Sequence, residues 1–237
     1  MSIDRNPLKD LQHSLKKVQG NLHVFKTSVS VDKQMEYFHF SGEIREDLSD
    51  EQIIENQIKI LMSNEASTHE IKYALAFLAI SGNVKAYRAV EAYNETHSDD
   101  WAAMSLMQAR ITMQTQFSDE RQIFISSGLG GKDDLIRFYA FFKSKNGIIF
   151  SDYQRNLIEK EIPYFIQRHN GITEEIDIHD NYFNILFLIN LRVDIKVMLE
   201  EAVAECNQFG NFINNGFIVT NVKVFSEEEI QHELSRR

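Results

Sequence analysis

Apolar positions recur every three or four residues through most of the first half of the chain and every second residue through most of the second. Pro7 followed by Leu8, Leu11, Leu15 and Val18, with Gly20 as stop, predicts a short first helix. The stretch 21–42 fits two readings, a strand pair or an irregular arm: Thr27, Val29 and Val31 alternate with polar residues before Tyr37, Phe38 and Phe40. From Ser49 the pattern is helical. Ser49 and Gln52 form a capping box ahead of Ile53, Ile54, Ile58, Leu61 and Met62. Thr68 caps a run through Ile71, Ala74, Leu75, Leu78 and Ala79 that stops at Gly82. Val84–Tyr93 is a third helix, and Ser98 or Asp99 opens a fourth with Trp101, Met104, Leu106, Met107, Ile111 and Met113. The short turns between them predict antiparallel neighbours.

Near residue 121 the period drops to two. Gln122–Ser127 and Leu135–Phe142 read as strands, and Ser151 with Gln154 caps a helix to about His169 that Pro163 should kink. Ile172–His179 and Tyr182–Leu191 make a hairpin turned at Asp180–Asn181. Asp194–Phe209 is helical, Phe217–Phe225 alternates as a last strand, and Ser226 with Glu229 caps a terminal helical turn.

Overlaying Ser67 on Ser98 aligns Ile71 with Ala102, Leu75 with Leu106 and Leu78 with Ala109, at a helical-hairpin period rich in alanine. On these residues Ser49–Phe117 resembles HEAT, armadillo or tetratricopeptide repeats, and residues 135–225 resemble the ferredoxin-like β-α-β-β-α-β fold in element order. The fold expected is α+β. Residues 1–120 are mainly helical and HEAT-like, and residues 121–237 form a ferredoxin-like sandwich with one extra strand.

Charge narrows the partners. The chain of 237 residues carries a net −10, divided as −3, −3 and −4 over residues 1–66, 67–120 and 121–237, so no basic lobe hides behind an acidic tail. That distribution predicts no nucleic-acid and no membrane partner. Tyr182–Leu191 is about half a membrane span, the N-terminal residues lack a signal peptide's apolar segment, and the single Cys206 fits a reducing compartment. The expected location is cytoplasmic.

Candidate chemistry is sparse. The loop Gly128, Gly130, Gly131, Lys132 suggests a phosphate cradle, yet Ser126 and Asp133 stand where a P-loop needs glycine and Ser or Thr, and Asp133 also breaks a dinucleotide fingerprint. Alternation places Glu175, Asp177 and His179 on one strand face about 7 Å apart in steps, a donor set for a divalent metal that also matches an ordinary solvent face. Cys206 falls on the buried side of its helix, without the exposure and cationic neighbour of a reactive thiolate. Tyr87, Glu91 and Asn94, one turn apart, form a surface for a partner. No catalytic residues and no cofactor are expected. The function expected is a non-catalytic protein-interaction or scaffold module with a protein partner, homo-oligomerising through a sheet edge where it does so. The alternative is a small-ligand- or metal-binding α+β domain, enzymatic or not, using loop 126–134 or the Glu175/Asp177/His179 face.

Overall fold

Small side chains on one helix and large ones on one strand organise the chain. The computed structural model describes residues 21–236 apart from Ser98 and Arg121, so the helix expected behind Pro7 lies outside the described residues. The fold is mixed α+β, dividing into two compact units between Ser126 and Ser127.

The first unit contains β1 (Asn21–Val24), α1 (Val31–Gly42), α2 (Glu51–Leu61), α3 (Thr68–Ile80), α4 (Val84–Thr96), α5 (Asp100–Gln116) and β2 (Gln122–Ile125). The ambiguous stretch 21–42 is thus a strand followed by a helix. Helix α3 is its hub. Ala74–Ala79 are buried without interruption, and alanines at 74, 76 and 79 let α1, α2, α4 and α5 all pack against it. Trp101 on α5 ties the hub down: its indole N–H donates to the Lys72 carbonyl at 3.0 Å, and Tyr37 and Phe40 meet its ring edge-on at 5.2 Å. The caps differ from expectation by one residue. Asp50, not Ser49, caps α2, because its carboxylate accepts from the Gln52 and Ile53 amides while the Ser49 hydroxyl turns back to Asp47. Ser67, not Thr68, caps α3, in a reciprocal box with Glu70.

Strand β2 had been expected as the extra strand of the later sheet. It pairs instead in parallel with β1, Asn21 opposite Gln122 through Val24 opposite Ile125. Parallel neighbours need a long crossover, and the five helices supply it.

The second unit contains β3 (Gly131–Lys132), β4 (Leu135–Ser144), α6 (Asp152–Arg168), β5 (Ile172–Ile178), β6 (Tyr182–Ile189), α7 (Ile195–Asn207), β7 (Ile213–Thr220) and α8 (Glu227–Ser235). All pairings in its five-stranded sheet are antiparallel: β5 lies beside β6, β6 beside β4, and the far edge of β4 is shared by β3 near its start and β7 further on. Helix α6 runs on through Pro163, because the carbonyl left without a helical partner belongs to exposed Glu159. The last strand lies earlier than the alternation of Phe217–Phe225 suggests. It stops at Thr220 because the loop leading into β3 takes over the edge: the Leu129 amide bonds the Asn221 carbonyl at 3.1 Å.

Gly128 makes that crossing possible, since a Cβ there would lie 1.9 Å from the Val222 carbonyl oxygen. Gly128→Ala is therefore expected to lower stability by roughly 1–3 kcal/mol through forced backbone displacement, read as a shift in the urea midpoint at unchanged slope. A midpoint equal to wild type would show that the loop does not close on Val222 in solution.

Candidate functional site

The faces of the second sheet differ. Phe138, Phe142, Phe183 and Phe187 are fully buried on the side that α6 and α7 cover. On the other side β4 carries Arg137, Tyr139, Phe141 and Lys143, opposite Leu188, Leu186, Asn184 and Tyr182 of β6. Next to β6, Asp177 of β5 pairs with Asn184. This face is only partly roofed. Ile230 and Leu234 of α8, with Phe225 and Leu129, pack over Tyr139 and Phe141. The Lys143 ammonium secures the roof by donating to the Glu233 and Arg236 carbonyls, both at 2.9 Å, at the end of α8.

Beyond the roof the face is half-exposed. His179 stacks flat on Tyr182, centroids 4.2 Å apart and planes within 12°. His179 Nε2 sits 2.7 Å from the Asp177 carboxylate, with 41% of the imidazole side chain open to solvent. Tyr182 in turn touches Phe141 at 5.6 Å. Beneath lies Tyr139, whose hydroxyl is buried with no hydrogen-bond partner. Burial first, then the neighbouring Tyr182, Asp177 and Glu229, pushes that phenol up to about 12. Burial and Asp177 also raise the Tyr182 phenol. Neither phenol is shifted toward ionisation, so both rings are neutral near pH 7.

Of the residues singled out from sequence, Asp177 and His179 are brought together. Glu175 does not join them as a third ligand: among the described residues no group of three His, Cys, Asp or Glu side chains is placed to hold a metal ion. The expected common face holds for Glu175 and Asp177, which pair in one register with Leu186 and Asn184, the β-bulge falling before them between Thr173 and Glu175. The loop of Gly128, Gly130, Gly131 and Lys132 is spent on structure. The Gly130 carbonyl accepts from the Ser127 hydroxyl and the Arg137 amide, and Gly131 and Lys132 pair with Ile136 and Leu135. Arg137 crosses from this loop to a bidentate ion pair with Glu174, which raises the guanidinium and lowers the carboxyl. Tyr87 and Glu91 bond each other on α4 at 2.9 Å, and Asn94 lines a groove beside α5. Cys206 is buried, its thiol pushed up to about 12 by burial and by Glu161 and Glu205. Sequence reading missed Tyr182 and Tyr139, which sit inside apolar runs. The available signal was Tyr182 and Asn184, the polar-capable residues at alternate positions of an otherwise apolar strand.

No protein-family model and no curated protein matches this chain. Among solved structures it is similar to a candidate transposase from Deinococcus radiodurans R1, at 12% identity and a TM-score of 0.36 over 44% of this chain and 92% of that one. It is also similar to a REP-associated tyrosine transposase bound to a REP hairpin, at 10% identity and a TM-score of 0.33 over 49% of this chain and 68% of that one. These transposase structures run against three expectations, which are corrected: the helical-repeat protein-binding scaffold, the alternative of a small-ligand- or metal-binding domain using loop 126–134 or the Glu175/Asp177/His179 face, and a protein partner to the exclusion of nucleic acid. The charge argument behind the last had weighed only phosphate neutralisation. Among the described residues no helix is long and apolar enough to cross a membrane.

Because the Tyr139 hydroxyl satisfies no hydrogen bond, Tyr139→Phe should leave the fold intact and raise stability by about 1 kcal/mol. Chemical denaturation measures this directly. A loss of stability would mean that the hydroxyl has a partner in solution.

Proposed function

We propose that residues 127–236 form a ferredoxin-like module that binds single-stranded nucleic acid on the α8 side of its sheet, stacking unpaired bases against His179 and Tyr182. The observation that carries this reading is the flat, half-exposed His179–Tyr182 stack beside the roofed aromatic face. Element order and the β5-β6-β4-β7 arrangement support the ferredoxin-like description. Sheets of this order can present aromatics on their central strands to splayed bases, and every base has a π-face to offer. Asn184 and Asp177 at the same rim supply an amide and a carboxylate for base edges. The break between Ser126 and Ser127 is taken as a domain boundary, close to the one read from sequence. The lone buried thiol fits a cytoplasmic protein.

Charge selects the mode of binding. Residues 127–237 hold 12 basic and 17 acidic side chains, too few cations for affinity drawn from phosphates. Stacking and base-edge contacts carry the binding instead, so unpaired strands are preferred and salt has little effect.

Fluorescence anisotropy of the full chain with a labelled single-stranded DNA, a DNA hairpin with an unpaired loop, and a blunt duplex tests this. The single strand and the hairpin are expected to bind, and the duplex is not. Tyr182→Ala should weaken binding at least about fivefold, the loss of one stacked base being worth about 1–3 kcal/mol. Absence of single-strand binding, or equal affinity of Tyr182→Ala and wild type, would sink the proposal.

A further inference from the structure

In the first unit a groove of about 460 Å³ opens between the β1–β2 ladder and α5. Its size is that of a small-molecule site. One wall is aromatic, as strand geometry dictates. His23 and Phe124 are direct partners in the parallel ladder, and Phe25 lies two residues on, so all three rings share a face. They stack in sequence: His23 on Phe124 at 5.0 Å and 20°, Phe25 on Phe124 at 5.9 Å and 22°. The opposite wall is the α5 stripe of Ala103, Met107, Arg110 and Gln114, at helical spacing, where the small Ala103 leaves room.

The rim carries the charge. Lys26 and Arg110 line the groove, and Asn94 adds an amide. Arg110 is 54% exposed and only loosely paired, 3.8 Å from a Glu91 oxygen that already accepts the Tyr87 hydroxyl. Two carboxylates also line the groove, Asp99 accepting from the Trp101 and Ala102 amides and Asp100 in the first turn, both at the N-terminus of α5, where the helix dipole offsets negative charge. A slot with an aromatic stack on one side and Lys26 and Arg110 at its mouth suits a planar heteroaromatic ring that extends the stack and bears an anionic group.

We propose that this groove is a mononucleotide-binding site: the base lies along the His23–Phe124–Phe25 wall and the phosphate meets Arg110 and Lys26. The site belongs to the first unit and stands independently of the sheet-face reading.

Isothermal titration calorimetry of the full chain with adenosine monophosphate tests it, with adenosine and inorganic phosphate as separate titrants. One equivalent of the monophosphate is expected to bind, adenosine to bind at least about tenfold more weakly, and phosphate alone not at all. Arg110→Glu should weaken the monophosphate about tenfold or more, the scale of one charge-assisted contact. Ala103→Leu should block the slot while circular dichroism and melting temperature report an intact fold. His179→Ala/Tyr182→Ala should keep wild-type affinity for the monophosphate, which separates this groove from the sheet face. No saturable binding, binding unchanged by both Arg110→Glu and Ala103→Leu, or binding lost in the His179→Ala/Tyr182→Ala variant would each overturn the assignment.

Discussion

The second unit depends on the hydrogen-bonded ladder along both edges of β4. This strand gives one edge to β6 and shares the other between β3 and β7, and it is buried on both faces over much of its length. A strand so placed has no solvent side, and its sequence, LIRFYAFFKS, is correspondingly apolar. Its two charged residues in the ladder are spent at the ends: Arg137 on Glu174 and the Leu129 carbonyl, Lys143 on the last turn of α8. Between them Tyr139 and Phe141 form the floor on which α8 rests. The position of the half-exposed rings beyond the roof therefore follows from where β4 ends and where Lys143 fastens the helix.

Helix α3 plays the corresponding part in the first unit by the opposite means. Its alanines contribute little side-chain burial of their own but allow the surrounding helices to come close, and the larger neighbours Leu75, Phe77 and Leu78 fill what remains. Trp101, at that centre, satisfies its N–H on the backbone of α3. Two different packing solutions, a bulky strand and a small-residue helix, organise the two units.

What could be read from the sequence follows the range of the interaction that decides each feature. Local rules succeeded: the reciprocal boxes Ser151/Gln154 and Ser226/Glu229 cap their helices, and the Asp180–Asn181 turn joins β5 to β6. Competition between adjacent caps shifted two helix starts by a residue, at Asp50 and Ser67. Long-range contacts were out of reach. Nothing near Gln122 announces that β2 belongs with β1, and nothing near Val222 shows that the Gly128 loop will displace the strand from its edge. At the candidate site Asp177 and His179 were legible by alternation, whereas Tyr182 was absorbed into a run of core residues because only the register with β5 and β4 shows which face it occupies. Net charge was read correctly but answered a narrower question than the one put to it.

The parallel pairing of β1 with β2 has a consequence for the order of folding. His23 and Gln122 meet across 99 positions of chain, and closing a loop of that length carries an entropic penalty of roughly 4 kcal/mol before any contact repays it. The helix pairs between them make near-neighbour contacts and gain their stability over short separations, so they form early. The ladder can close only onto helices already assembled. The groove walled by His23, Phe124 and α5 is thus expected to form late in that unit's folding. A ligand seated there would act as a latch, slowing unfolding while leaving the rate of helix assembly untouched.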